Sequence, residues 1–522
     1  MVAMKVGRAL KKRFFTRQQS GTQMTQIFQI FTDKNFGKSA EINFICAICV
    51  LFFVLVLLGT IFSVPAMAQS PKNIFVSVTG SDSTGDGSLG NPYRTLYQAG
   101  RAAQPGDTIL VRGGTYSATK DQLYYVYGTA HLPITVRPYN SETVIFDGTG
   151  ADISRAKSVV LIGESAHVIF DGFEVRNSGG RGITVYDSSF ITVRNNRVHD
   201  VQARGISVSG DHITVENNEI WNAVLENTNE AHGTSGWSSA LSTNERPDGT
   251  WSTDITIRGN TVHDSWGEGI TPGHAQFVTI AGNTVFNTYS ANIYLNLVSN
   301  VVVDSNFLYA TSEVYNRSDH GYPAHGISLA NEQPVPGGGA FTRDVTLSNN
   351  IIVGTGRGIN YWHTGLNAAE NTYTNVKIFY NVVIYSRHDA IHFDPVGSAH
   401  IAPSGVFFQN NIVLNGANGV AANIGNPAGW TITHNDWPDG IPAVASGAGN
   451  IAVDPQFNSA VIGNGTGGFT LRSTSPLVGA GVAVDTFTDF AGNFRANPPT
   501  MGAFESNPPI LDKQTFLPLV VR

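Results

Sequence analysis

Residues 190–222 read FITVRNNRVHDVQARGISVSGDHITVENNEIWN, in which ITVRNNRV returns as ITVENNEI after 22 residues. The second Asn of this motif can be followed along the chain at Asn196, Asn218, Asn260, Asn283, Asn306, Asn350, Asn381, Asn411 and Asn435. Each is preceded by alternating apolar residues, the period of a strand with one buried face, and each is followed by a short apolar pair. The intervals of 22, 42, 23, 23, 44, 31, 30 and 24 residues reduce to a base period of 22–24 with insertions, which is the signature of a solenoid. Within one coil, GISVSG, ITVENN and EIWN supply three short strands, which at about 3.3 Å per residue plus tight turns use up the repeat. Such coils stack by parallel pairing about 4.8 Å apart. The expected fold is all-β, a parallel β-helix with three strands per coil. Asn recurs because its amide tolerates left-handed backbone and can bond to its neighbours at a turn.

Composition agrees with a strand-rich solenoid. Of 522 residues, 41% are hydrophobic and 14% charged, with 56 glycines, and the apolar residues come in short Val/Ile/Thr runs. Residues 1–68 stand apart as an export segment. Lys5, Arg8, Lys11, Lys12, Arg13 and Arg17 precede an uncharged apolar run from Phe44 to Val64, which ends in a small-x-small cleavage pattern after Ala68. That run is long enough to span a bilayer, so a retained anchor is the alternative. Both readings place the remainder outside the cytoplasm, as an extracellular, periplasmic or cell-surface protein. Cys46 and Cys49 both lie in this segment, so no disulfide is expected beyond it. Eight of the 32 Lys/Arg and two of the 39 Asp/Glu also lie there, leaving a net charge of −13 on the rest and arguing against a nucleic-acid partner. The expected divisions are an N-terminal cap and first coils over 69–166, repeats with long insertions over 167–435, a C-terminal cap segment over 436–505 and a tail over 506–522. A monomer is expected.

The opening IFVSVTGSDSTGDGSLGNPYRTLYQAGRAAQPGDTILVRGGTY (residues 74–116) and the closing pieces DPQF, SPLVGAG, DFAGNFR and MGAFE resemble those of exported bacterial members of the right-handed parallel β-helix, or pectate-lyase-like, superfamily. The resemblance covers residues 73–505. It implies a right-handed coil and a short helix, TLYQAGRAA, plugging the first turn, as solenoid ends require. It does not fix an activity, since this fold carries lyases, hydrolases, epimerases and passive surface proteins.

Aligning the coils on the strand before each Asn motif yields two outward columns. The first holds Arg181, Arg204, Ser239, Glu268, Ala291, His325, Arg357, Asp389 and Asn418; the second holds Thr184, Ser207, Ser242, Thr271, Tyr294, Ser328, Asn360 and His392. A structural face would repeat one residue type, as Thr192, Thr214, Thr256, Thr279 and Thr346 do on the next strand. Variety therefore marks the candidate groove. Insertions at 223–238, 243–253, 311–324, 331–344, 363–375 and 395–404 flank the same strand and are rich in Trp, Tyr, His and acids. Tyr294, Trp237, Trp266 and Trp362 suit stacking on sugar rings, and alternation turns Tyr361 toward the core. Asp264, Glu268, Glu332 and Asp394 are the nearby acids, of which Asp264 and Glu268 are the candidates to hold Ca²⁺.

The chemistry expected first is β-elimination on a uronate polysaccharide, with His325 or Arg357 as base, a second cation on the uronate and Asp389 orienting Arg357. Arg204, Tyr294, Asn360, Trp362, His392, Glu332 and Asp394 would bind substrate. Many lyases of this fold use a lysine base, but Lys377 falls on the Thr face. Hydrolysis is the alternative, although Glu268 and Asp389 are about 19 Å apart by coil spacing, too far for an acid pair. A non-catalytic glycan binder is the third. The pairs His199/Asp200 and His263/Asp264 read as turn-capping residues.

Overall fold

The computed structural model describes residues 70–506 and 508, apart from 118–121, 153, 233–236, 333–341, 365–371, 396–401 and 416–418. The export segment with its two cysteines, Asn418 and the FLPLVVR tail lie outside the described residues. From Pro71 onward the chain forms one compact unit. Each coil has a leading, a middle and a short strand, for example Glu268–Thr271, Ala275–Ala281 and Thr284–Phe286. Leading and middle strands wrap into one sheet of 22 strands, and the short strands form a second of 11. All named pairings are parallel. On the leading strands Ile183, Ile206, Leu241, Ile270, Ile293, Ile327, Ile359 and Ile391 stack in strict register and are fully buried. Alternation thus puts one apolar column inside and its neighbours outside. The next member is Ala422, so the residue that continues the first outward column is Val420, not Asn418.

The recurrent Asn forms a continuous internal ladder. Each Nδ2 donates to the Oδ1 of the next coil's Asn, from Asn196 to Asn218 (2.9 Å) through Asn411 to Asn435 (3.0 Å), and that Oδ1 also accepts the preceding Asn's backbone N–H. Asn450, which the repeat spacing does not reach, adds a final rung. The conformational reason given for Asn needs correction. It is the preceding residue that takes the left-handed turn, at Asn195, Asn217, Gly259, Gly282, Ser305, Asn349, Tyr380, Asn410 and His434. The ladder Asn is selected for its hydrogen bonds alone.

At the N-terminal end the helix Leu96–Ala102, capped by Thr95, buries Leu96 and Ala99 against the first coils. At the other end Trp437 is buried beneath the Asn450 rung. Ala445 joins it at the end of the core, and the segment then leaves the open end for the side of the solenoid. Phe469, Leu471, Leu477, Met501 and Ala503 pack sideways onto Phe307, Ile351, Val353, Val382, Ile384 and Ile412, outward residues of four consecutive short strands. Arg495 anchors this strap over the Tyr380 ring at 3.7 Å and donates to Asn349. On the coils before the strap, the same sheet carries a stack of rings, His199, Trp221, His263, Phe286 and Tyr309, with centroids 4.1–6.1 Å apart. The His/Asp pairs belong to it: Asp200 and Asp264 occupy left-handed turns and each bonds its neighbouring imidazole.

Candidate functional site

The leading-strand face carries a cleft of about 390 Å³ whose walls include Glu268, Tyr294, His325, Arg357, Asn360 and Trp362. Glu332 and Asp394 line its far edge, at the ends of their strands. The register that brings these residues together depends on close contact between coils. A Cβ on Gly326 would lie 2.4 Å from the Gly358 carbonyl oxygen, so only glycine lets the two coils approach there. That contact sets His325 against Arg357: the Arg357 backbone N–H donates to His325 Nδ1 at 3.1 Å.

This bond changes the role assigned to His325. Its Nδ1 is an acceptor, so the proton of the neutral ring sits on Nε2. Burial, and then the Arg357 charge, push its pKa well below the usual imidazole range. His325 is therefore a hydrogen-bond donor toward the cleft rather than a base. Asp389 does not orient Arg357 either. It accepts from His392 Nδ1 (2.6 Å), the Val420 backbone N–H and Asn423, and these bonds outweigh burial to keep its carboxyl below the ordinary value. His392 Nε2 in turn lies 3.0 Å from Asp394 Oδ1. Asp389 and His392 thus stand behind Asp394 as its support. Arg357 has no carboxylate partner among the described residues, and its buried Nε meets no acceptor.

Glu268 occupies the other end of the cleft. Trp237 Nε1 donates to it at 2.6 Å and Ser239 Oγ at 3.2 Å, yet burial wins and lifts its carboxyl to about 7. Glu332 is also raised by burial. Between them the Tyr294 hydroxyl makes no hydrogen bond of ordinary geometry and is held protonated by burial and by Glu332.

Several expectations are not met at the cleft. Trp266 is buried against Tyr289 and Tyr315. Asp264 caps its turn through His263 and Asn287, away from Glu268, so the two do not form a joint cation site. Among the described residues no group of three or more His, Cys, Asp or Glu is arranged to hold a metal. Arg204 lies beyond the cleft on the same column. The 243–253 insertion instead binds Asp187 and Asp211 through Arg246. Tyr361 is fully buried, as alternation requires, and Lys377 sits in the threonine column bonded to Asp485.

Three cleft residues escaped the sequence reading, Ser290 just before the Ala291 strand and two from an insertion loop. Arg317 and His320 come from the 311–324 insertion, where Arg317 pairs with Asp319 and lies 5.4 Å from the Trp237 ring. Their signal was only the charge and aromatic content of the loop. Glu230 fixes that loop to the 223–238 insertion by accepting from the Ser318 backbone and hydroxyl.

Family models match two adjoining stretches, a "Pel9A-like, right handed beta helix region" over residues 74–245 and a "Right handed beta helix region" over 225–373. The chain is a right-handed parallel β-helix of the pectate-lyase-like superfamily. Within that superfamily it is 33% identical over 150 residues to pectate lyase PEL9 of Emericella nidulans, covering 26% of this chain and 36% of that protein. It is 32% identical over 149 residues to the uncharacterized protein YwoF of Bacillus subtilis, 28% of each chain. The matched segments thus span only about a third of the curated relatives' length. The crystal structure of pectate lyase Pel9A superposes with a TM-score of 0.52 at 17% identity, over 84% of this chain and 96% of that chain, a likeness of fold.

Proposed function

We propose that the protein is an exported β-helix enzyme that binds an acidic, uronate-containing polysaccharide along the leading-strand face and cleaves it by β-elimination. The observation that carries this reading is Arg357, a cation lining the cleft with no carboxylate in ion-pair contact with it among the described residues. A guanidinium so placed matches a sugar carboxylate in charge and in its planar pair of acceptors. With the carboxylate held there, the proton on the adjacent ring carbon becomes removable. A base takes it, the electron pair forms the ring double bond, and the glycosidic oxygen leaves and is protonated. His325 Nε2–H donates a hydrogen bond at this end. The base is sought at Glu332, which burial makes more basic, or at Asp394, which His392 and Asp389 back. The similarity to pectate lyase PEL9 supports the substrate class.

Hydrolysis is favoured by a different observation. Glu268, protonated to about pH 7, and Glu332 share one cleft, the paired carboxyls that acid–base cleavage of a glycoside needs. Incubation with pectate, alginate, glycosaminoglycan and neutral plant glycans, with and without Ca²⁺, separates the readings. Unsaturated-uronate absorbance that disappears in Arg357→Ala supports elimination. New reducing ends without absorbance, lost in Glu268→Gln, replace it with hydrolysis. Binding without turnover on every polymer overturns both in favour of a passive glycan binder.

A further inference from the structure

The first outward column does not stop at the cleft. One and two coils before Ser239 it continues through Arg204 and Arg181. Neither guanidinium makes a hydrogen bond or ion pair among the described residues, and the Nε of each is buried without an acceptor. The third arginine of the group, Arg155, does have a partner, Glu226 Oε2 at 2.7 Å, and also reaches Ser238. Only Arg155 of the three is in contact with a carboxylate, while Arg204 feels Glu226 and Glu268 from a distance. The crowding is felt at Arg204, whose pKa falls to about 10 through burial and then the charges of Arg181 and Arg155. A purely structural ladder would pair these charges, as the neighbouring faces do with Arg194 to Asp171 and Arg258 to Glu216. Two stacked arginines with buried stems, part-exposed ends and no ion-pair partner among the described residues are suited to take an anion from outside.

We infer that Arg181 and Arg204 form a second anion subsite, which grips a further carboxylate of the same acidic chain that Arg357 holds. This rests on the acidic-polysaccharide reading above and extends it. Arg204 and Arg357 are five coils apart in the column, about 24 Å along the helix axis. The chain would lie parallel to that axis, with Glu268, Ser239 and the Trp237 indole between the two cationic ends. Short oligosaccharides reach one end only; longer ones reach both, and the second contact then forms without a second loss of translational freedom.

The test is calorimetric titration of the intact protein with uronate oligosaccharides graded from dimer to dodecamer, and with methyl-esterified oligomers of the same lengths. Wild type should show a rise in affinity at the length that spans both ends, for the free acids and not for the esters. In Arg181→Gln/Arg204→Gln that rise should vanish, a loss of about tenfold, while affinity for short acids is unaltered. Arg204→Lys, which keeps charge and stem, should retain most of the rise and guards against misfolding of the double variant, as does thermal melting of each. A rise that persists in the double variant, with Arg357→Ala weakening all lengths, overturns the subsite and leaves the cleft reading intact. Acid and ester oligomers that bind alike at every length, or do not bind, overturn both.

Discussion

The leading-strand and middle-strand faces are made by the same coils in the same parallel register, and they differ in what repetition leaves unsatisfied. On the middle strands Thr192, Thr214, Thr256, Thr279 and Thr346 keep their hydroxyls toward solvent, along a shallow depression of about 850 Å³ rimmed by Phe190 and Phe277. Like groups follow one another and water serves each. On the leading strands Arg181, Arg204, Ser242, Tyr294, Arg357 and Asn360 all hold buried polar atoms with no partner. Orphaned polar atoms also occur at the end coil and in the strap, at His434, Asp436 and Arg495, but on this face they follow one another along a single outward surface. The larger depression is the scaffold's own surface, while the smaller cleft and the arginine pair beyond it hold groups that a ligand could satisfy.

This contrast can be broken or sharpened by four measurements. Arg357→Ala should lower kcat/KM on the acidic polymer by about 10³-fold (about 4 kcal/mol), with the melting temperature little changed, because its charge has no internal partner to strand. An equal loss of stability would make Arg357 a structural residue. Asn306→Ala, in the ladder, should cost about 3 kcal/mol in urea unfolding, since the Asn283 donors lose their acceptor and the Ile280 carbonyl loses its amide donor inside the core. Glu268→Gln tests the burial of the cleft acid. The folded carboxyl holds its proton to about pH 7 while the unfolded chain ionises from the ordinary 4.5. Its stabilising contribution is complete below the unfolded value and is lost as pH rises through 7. Wild type should therefore fall by about 3 kcal/mol relative to Glu268→Gln between pH 4.5 and pH 8. Thr279→Ala, on the middle-strand face, should change stability by no more than about 0.5 kcal/mol and leave turnover untouched. A large effect there would erase the distinction between the faces.

The fold was legible because its cause is periodic. One Asn per coil and strict alternation fix the strand order, the register and which residues face outward, and the two columns read from sequence coincide with the paired strands up to the Ile391 coil. The last coil failed because its alignment was carried by sequence spacing, whereas the pairing of Ile391 with Ala422 puts Val420 in the column. The site was half legible. Position on a face follows from register, so Glu268, Tyr294, His325, Arg357, Asn360 and Trp362 could be grouped. Orientation and partner choice depend on side-chain geometry, which alternation does not encode. Asp389 therefore turned to His392 rather than Arg357, and Trp266 turned inward. Arg317 and His320 were invisible because insertion loops have no period.

The strap formed by the C-terminal segment bears on how this molecule comes apart. A bare solenoid unzips from its ends, coil by coil, because each coil touches only its neighbours. Here Phe469, Leu477 and Met501 lean on residues from Phe307 to Ile412, so the terminal coils cannot fray singly. The back half of the helix is thereby fused into one cooperative block, and a single proteolytic cut before Phe457 would release several coils at once.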